Sequence, residues 1–139
     1  MVNESATWSP FRNHLGQIAL ALVSTCGAYR KETDCPFDAA NYYGDPFYKE
    51  IPIATALEEL GFAHTHYDRT HVEQDANVAF PLPYLKELAA RQQIERLVDP
   101  AISFSGFLPQ PRQLLEETAP AAANLLQNAG AEAALLVSC

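Results

Sequence analysis

Positive charge is scarce in this chain: nine Lys and Arg stand against seventeen Asp and Glu, a formal net charge of −8. Cations scattered at that density form no basic stripe able to displace counterions from a phosphate backbone, so nucleic acid is excluded as an expected partner. Long apolar runs are also missing. None approaches the roughly 20 residues that span a bilayer, so no membrane association is expected. The opening Met1-Val2-Asn3-Glu4-Ser5 lacks the charged-then-apolar order of a signal peptide, and the expected compartment is the cytoplasm. Cysteine is sparse and odd in number: Cys26, Cys35 and Cys139 share no CxxC spacing. Neither a disulfide framework nor a zinc knuckle is indicated, and Cys26 reads as a buried cysteine. No Gly-rich phosphate loop, GxSxG elbow or HExxH helix is present, so nucleotide-binding and serine-hydrolase readings fall away.

What remains is an ordinary globular composition, 48% hydrophobic and 19% charged over 139 residues. That length suits one domain burying roughly two-thirds of its unfolded surface, with no room for a second core. Gln17 to Ser24 is a short apolar run ending in small residues before Gly27, the pattern of a central strand leaving a sheet. From Ala28 to Pro52 the chain shows no sustained period and is read as a long excursion, with turns at Asp34-Cys35-Pro36 and Gly44-Asp45-Pro46. Thr55 to Leu60 supplies one or two helical turns ending at Gly61. Phe62 to Asp68 then alternates apolar and polar residues as a strand running into a loop. Pro83 and Tyr84 lead into an amphipathic helix carrying Leu85, Leu88, Ala89 and Gln92.

Ala101 to Phe107 is another short strand. A short helix over Arg112 to Glu117 is followed by a second start, with Thr118 as cap and Pro120 in the first turn. That second helix buries Ala122, Leu125, Leu126 and Ala129 and stops at Gly130. Ala133 to Ser138 reads as a strand buried on both faces, emerging at its carboxyl end toward Cys139. The alternation of strands and helices predicts an α/β fold: a mainly parallel sheet with flanking helices in three layers, Rossmann-like. A parallel strand needs cover on both faces, so residues 1–139 are expected to be a single α/β domain forming the amino-terminal part of a longer chain.

The densest set of chemically able side chains is His64-Thr65-His66-Tyr67-Asp68, with Asp75 and Asn77 close by. Two imidazoles two residues apart on an extended segment point to one side. They suit metal binding with carboxylate help, acid–base work near neutral pH, or the grip of a substrate carboxylate and amine. Backbone hydrogen bonding at a sheet edge accounts for them equally well. An H-x-H pair without a third placed ligand is a weak metal signal, and no metal site is expected. Asp38, Asn41, Asp45 and Tyr48 read first as turn formers and second as site candidates; Phe104-Ser105-Gly106 has the small residues of a backbone that something approaches closely, and a tight turn accounts for it equally well.

Taken in order, several short motifs resemble the selenoprotein B components of glycine, sarcosine and betaine reductase and of D-proline reductase. They are Ile18-Ala19-Leu20 through Thr25, Cys35-Pro36-Phe37-Asp38, Gly44-Asp45-Pro46 through Pro52, His64 to Asp68, and Asp75 to Leu82. Ser103-Phe104-Ser105-Gly106, and Leu114 to Pro120 leading on to Leu135-Leu136-Val137, complete the series. The resemblance spans roughly residues 17 to 139, and seven short matches in one order are far more specific than any single one.

The resemblance implies a selenocysteine, or a cysteine in its place, within a residue or two of the strand ending at Ser138. The expectation is that this sequence stops at a UGA codon, with the nucleophile in the next position and Cys139 as its neighbour. A selenol is largely ionised at neutral pH, a stronger nucleophile than a thiol of pKa about 8.5. The implied reaction is reductive cleavage of a C–N bond by selenolate or thiolate attack on the carbon bearing the amine. No cofactor is implied in this chain. A pyruvoyl group on a partner subunit, a dithiol reductant, and a thioredoxin-like or selenoprotein A carrier of electrons and acyl groups are implied around it, and self-assembly into a homo-oligomer is left open. By resemblance, His64 and His66 join Cys139 as catalytic candidates, and Asp68, Asp75 and Asn77 line the substrate side. Two other readings stand beside this one: a metal-dependent hydrolase or lyase using His64, His66 and Asp68, and a non-catalytic small-molecule-binding subunit.

Overall fold

A computed structural model describes residues 11–63 and 70–139. The sheet is built around β1 (Ala19–Ser24), whose side chains alternate between two buried environments. On one side β1 pairs in parallel with β7 (Ala133–Val137). On the other it pairs in parallel first with β5 (Arg96–Leu97) and then with β6 (Ala101–Phe104). Strand β3 (Tyr48–Ile51) runs antiparallel to β6 and forms the far edge. A separate two-stranded antiparallel ribbon joins β2 (Ala28–Arg30) to β4 (Leu60–Phe62). The architecture is α/β with a mixed, mainly parallel sheet, as expected from the sequence.

Because successive residues of a strand face opposite ways, the even positions of β1 serve one core and the odd positions the other. Leu20, Leu22 and, beyond the strand, Cys26 join Phe80, Leu82, Leu85, Ile51 and Ala101. Helix α2 (Leu82–Ala90) and the short helix α1 (Thr70–Gln74) cover that face, contributing Leu82, Leu85 and Val72. Ala19, Ala21 and Val23 face the other way, against Val98, Ile102, Ala122 and Leu126. There α3 (Ala119–Asn128) is the cover.

Several elements depart from the sequence reading. The stretch from Ala28 to Pro52 contains β2 and β3, whose partners lie far along the chain, Phe62 for Ala28 and Phe104 for Tyr48. Such short strands are formed by tertiary pairing, which local periodicity does not report. Gly61 sits inside β4 rather than ending a helix; a 3₁₀ turn at Leu57–Glu59 precedes it. Helix α2 ends at Ala90, and Gln92 adopts a left-handed φ of 58° just beyond it, outside the helical face assigned from spacing.

Thr118 is helical, with no capping bond to the following helix, and its hydroxyl donates to the carbonyl of Pro46 at 2.7 Å. A π-helical turn over Leu114–Thr118 runs directly into α3, so Pro120, expected in the first turn of a separate second helix, lies inside one continuous helical segment, just after the π turn. Gly130 closes that helix with φ +82°, a left-handed stop that glycine adopts without steric cost. The largest correction concerns β7. It was expected to be buried on both faces, but β1 is its one partner among the described strands, and Leu136 is 73% exposed.

Candidate functional site at the carboxyl ends of β1 and β7

The amino end of β7 is fixed to β1 by a reciprocal pair of bonds. The Glu132 N–H donates to the Ala19 carbonyl, and Glu132 Oε2 accepts from the Ala19 N–H, both at 2.9 Å. The register then runs from Leu20 opposite Ala133 to Ser24 opposite Val137. Beyond the strands the ladder continues: the Thr25 N–H donates to the Val137 carbonyl at 3.0 Å. The Cys139 N–H donates to Thr25 Oγ1, also at 3.0 Å. These bonds bring Cys139 beside Thr25, the residue before Cys26; Cys26 belongs to the core on the α2 face and forms an antiparallel bridge with Ser105.

Cys26 is fully buried and Cys139 exposed. The buried thiol donates a hydrogen bond to the sulfur of Cys139, which brings the Cys139 pKa down to about 7 despite partial desolvation, with a smaller contribution from Ser24. The same contact, together with burial, pushes the Cys26 thiol far up, so Cys26 holds its proton. Ser24 has one proton to give, and its hydroxyl already donates to the Ala79 carbonyl at 2.8 Å while accepting from the Cys26 N–H at 3.2 Å. Cys26 is therefore the principal donor to Cys139.

The base of this site is rigid. Gly27 has φ +70°, and a Cβ there would lie 2.5 Å from the Ala63 carbonyl oxygen, so only glycine fits the turn that follows Cys26. Its N–H donates to the Phe104 carbonyl and its own carbonyl accepts from the Ala63 N–H, both at 2.9 Å. Ser103 is paired with Ser24 across the strands and is fully buried, its hydroxyl without a hydrogen-bond partner among the described residues.

The other predicted site residues divide. His64, His66 and Asp68 lie outside the described residues. Asp75 and Asn77 are brought together by each other: the Asp75 carboxylate accepts from the Asn77 N–H at 3.0 Å and from Nδ2 at 2.8 Å, capping the turn Ala76–Val78. They line a cavity of about 480 Å³ with Leu57, Leu60, Phe62 and Val72. Ala79, two residues after Asn77, ties this turn to the end of β1 through Ser24. A larger opening, about 670 Å³, lies elsewhere, between Asn41–Pro46 and Arg112–Glu117, and holds no cysteine. Among the described residues no group of three or more His, Cys, Asp or Glu is gathered for a metal ion. None of their helices is long and apolar enough to cross a membrane.

Sequence reasoning read Cys26 as core and passed over Ser24 and Thr25. A signal was present: Leu22-Val23-Ser24-Thr25-Cys26 and Leu136-Val137-Ser138-Cys139 are two strand endings of nearly the same composition. Only their pairing makes the two cysteines neighbours.

No protein-family model matches the chain, and no solved structure matches it. The D-proline reductase subunit gamma of Acetoanaerobium sticklandii is 30% identical over 131 residues, covering 94% of this chain. That likeness supports the proline/glycine reductase family for this chain. The chain spans about half the length of that curated relative, 52%. The region shared with this reductase relative therefore takes in almost all of the described fold.

Proposed function

We propose that this chain is a component of a multisubunit reductase that cleaves a C–N bond of an amino acid or betaine, with its reactive chalcogen at the carboxyl end of β7. The single observation that carries the reading is the Cys139 thiol: anchored through Thr25, with its pKa brought down to about 7 by the Cys26 proton, at the end of a parallel strand. In α/β sheets that end is where ligands are bound. The likeness to a protein named as a subunit of D-proline reductase supports the reaction class.

In this reading the attacking group is a selenocysteine or cysteine next after Cys139, with Cys139 the adjacent thiol. Attack at the carbon bearing nitrogen breaks the C–N bond, and a dithiol supplies two electrons and two protons, leaving a C–H bond, the freed amine and a disulfide. Asp75 and Asn77 contribute polar atoms to the cavity they line with Leu57, Leu60 and Phe62, and His64, His66 and Asp68 are the proposed proton-handling and binding groups. A partner subunit carrying a pyruvoyl group, a thioredoxin-like or selenoprotein A carrier and a cytoplasmic setting belong to the same proposal.

The test is reconstitution with partner subunits and dithiothreitol, assaying D-proline, glycine, sarcosine and betaine separately. The expected result is dithiol-dependent reduction of one of the four, lost on alkylation of the β7 end. Turnover of none, or turnover indifferent to alkylation, overturns the reading. Reading the gene past codon 139 tests the position of the nucleophile. A UGA or Cys codon in a continuing family-like frame is expected, and UAA or UAG sinks that part of the proposal.

A further inference from the structure

Cys26 has no place in the reaction above, yet it is the residue the fold sets beside Cys139. Adjacent strands lie about 4.8 Å apart, and a disulfide accepts Cα separations of about 4.4–6.8 Å. The Thr25 N–H bond to the Val137 carbonyl and the Cys139 N–H bond to Thr25 Oγ1 hold the ends of β1 and β7 side by side, with Cys139 next to the residue that precedes Cys26. The side chains already meet, the Cys26 thiol donating to Cys139. Cys35, the third cysteine, is exposed in the loop beyond β2.

From this alignment and contact we propose that Cys26 and Cys139 are a redox-active dithiol, Cys139 being the attacking thiol and Cys26 the buried resolving thiol, which exchanges with disulfides. The steps balance as follows. The Cys139 thiolate attacks one sulfur of a disulfide, breaking its S–S bond and releasing one thiolate, to leave a mixed disulfide on Cys139. Cys26 then gives its proton to a released thiolate and attacks the Cys139 sulfur, forming the Cys26–Cys139 bond and expelling the second thiol. The protein dithiol is oxidised by two electrons and the reagent disulfide is reduced to two thiols.

The asymmetry of the pair suits the division of labour. The exposed member has the lower pKa and meets the reagent; the buried member keeps its proton until its neighbour is modified. Burial of Cys26 is no obstacle, because its only target is the adjacent sulfur. The inference shares the site of the proposed reductase component but needs neither substrate nor partner, so it is tested separately from that reading.

The experiment equilibrates the 139-residue chain with glutathione and glutathione disulfide. Free thiols are trapped by iodoacetamide after acid quench, and the peptides are mapped by mass spectrometry. Expected is a peptide pair linked through Cys26 and Cys139 with Cys35 alkylated. The equilibrium constant for the link should be at least about tenfold larger in the folded chain than in urea, because the fold holds the two sulfurs together. In Cys26→Ser the reaction should stop at a glutathione adduct on Cys139, and in Cys139→Ser Cys26 should stay reduced. Circular dichroism identifies folded variants, and the wild-type map stands if either variant fails to fold. A wild-type chain that halts at the Cys139 adduct with Cys26 free overturns the proposal. So does linkage through Cys35, or a Cys26–Cys139 link no more favourable folded than unfolded.

Discussion

The two faces of the central sheet are packed differently. On the α2 face the core is made of large side chains, Leu22, Ile51, Phe80, Leu82 and Leu85, all buried, and it extends past the strand end to Cys26. On the α3 face alanines carry much of the contact: Ala19, Ala21 and Ala122, with Ile102, Val98 and Leu126 as the larger members. That face also holds a groove of about 360 Å³ between α3 and β7, floored by Val23, Ala134 and Leu136. Cys26 belongs to the densely packed face. A thiol whose pKa depends on one hydrogen bond from a buried neighbour needs that neighbour held in one position, and close packing holds it.

The sharpest way to break this comparison is Phe80→Ala. Phe80 is fully buried, and its removal from a dense core is expected to cost about 3–5 kcal/mol by denaturant unfolding. A loss below about 1 kcal/mol would show that the α2 face is not the tighter one. Leu126→Ala on the α3 face should cost less, about 2–3 kcal/mol, because the adjacent groove leaves fewer contacts to lose. Equal or greater loss than for Phe80→Ala would reverse the ranking.

Next in size is the effect of Cys26 on its neighbour. Iodoacetamide should alkylate Cys139 with a rate that rises through a midpoint near pH 7, because the thiolate is the reactive form and the Cys26 hydrogen bond favours it. Cys26→Ala removes that donor, so the midpoint should move up toward the ordinary thiol value of about 8.5, and the rate at pH 7 should fall on the order of tenfold. An unmoved midpoint in a folded variant would show that the buried thiol does not set the Cys139 pKa. Smallest of all, Leu136→Ser on the exposed edge should change stability by no more than about 0.5 kcal/mol. A larger loss would mean that this apolar side chain is covered in solution.

Strand β1, helix α3 with its stop at Gly130, and β7 were legible because each is announced locally. An apolar run ends in small residues, an amphipathic repeat meets a glycine, and a second apolar run follows. Strands β2, β3 and β5 were not legible, since each is two to four residues long and owes its existence to a partner far along the chain. Asp75 and Asn77 were found as a pair in sequence, and the structure adds that they bond each other to cap a turn.

The sequence by itself determined the class of the molecule: an α/β chain similar over 94% of its length to a D-proline reductase subunit, with a cysteine just past an apolar strand. Those features are local or follow from ordered short motifs, so they survive in one dimension. Only the tertiary structure decided that Cys26 is the companion of Cys139, although 113 positions separate them in the chain. The physical reason is register. Parallel pairing of β1 with β7 aligns two strand ends that sequence distance keeps apart, and it turns a core cysteine into the hydrogen-bond donor that lowers the pKa of an exposed one.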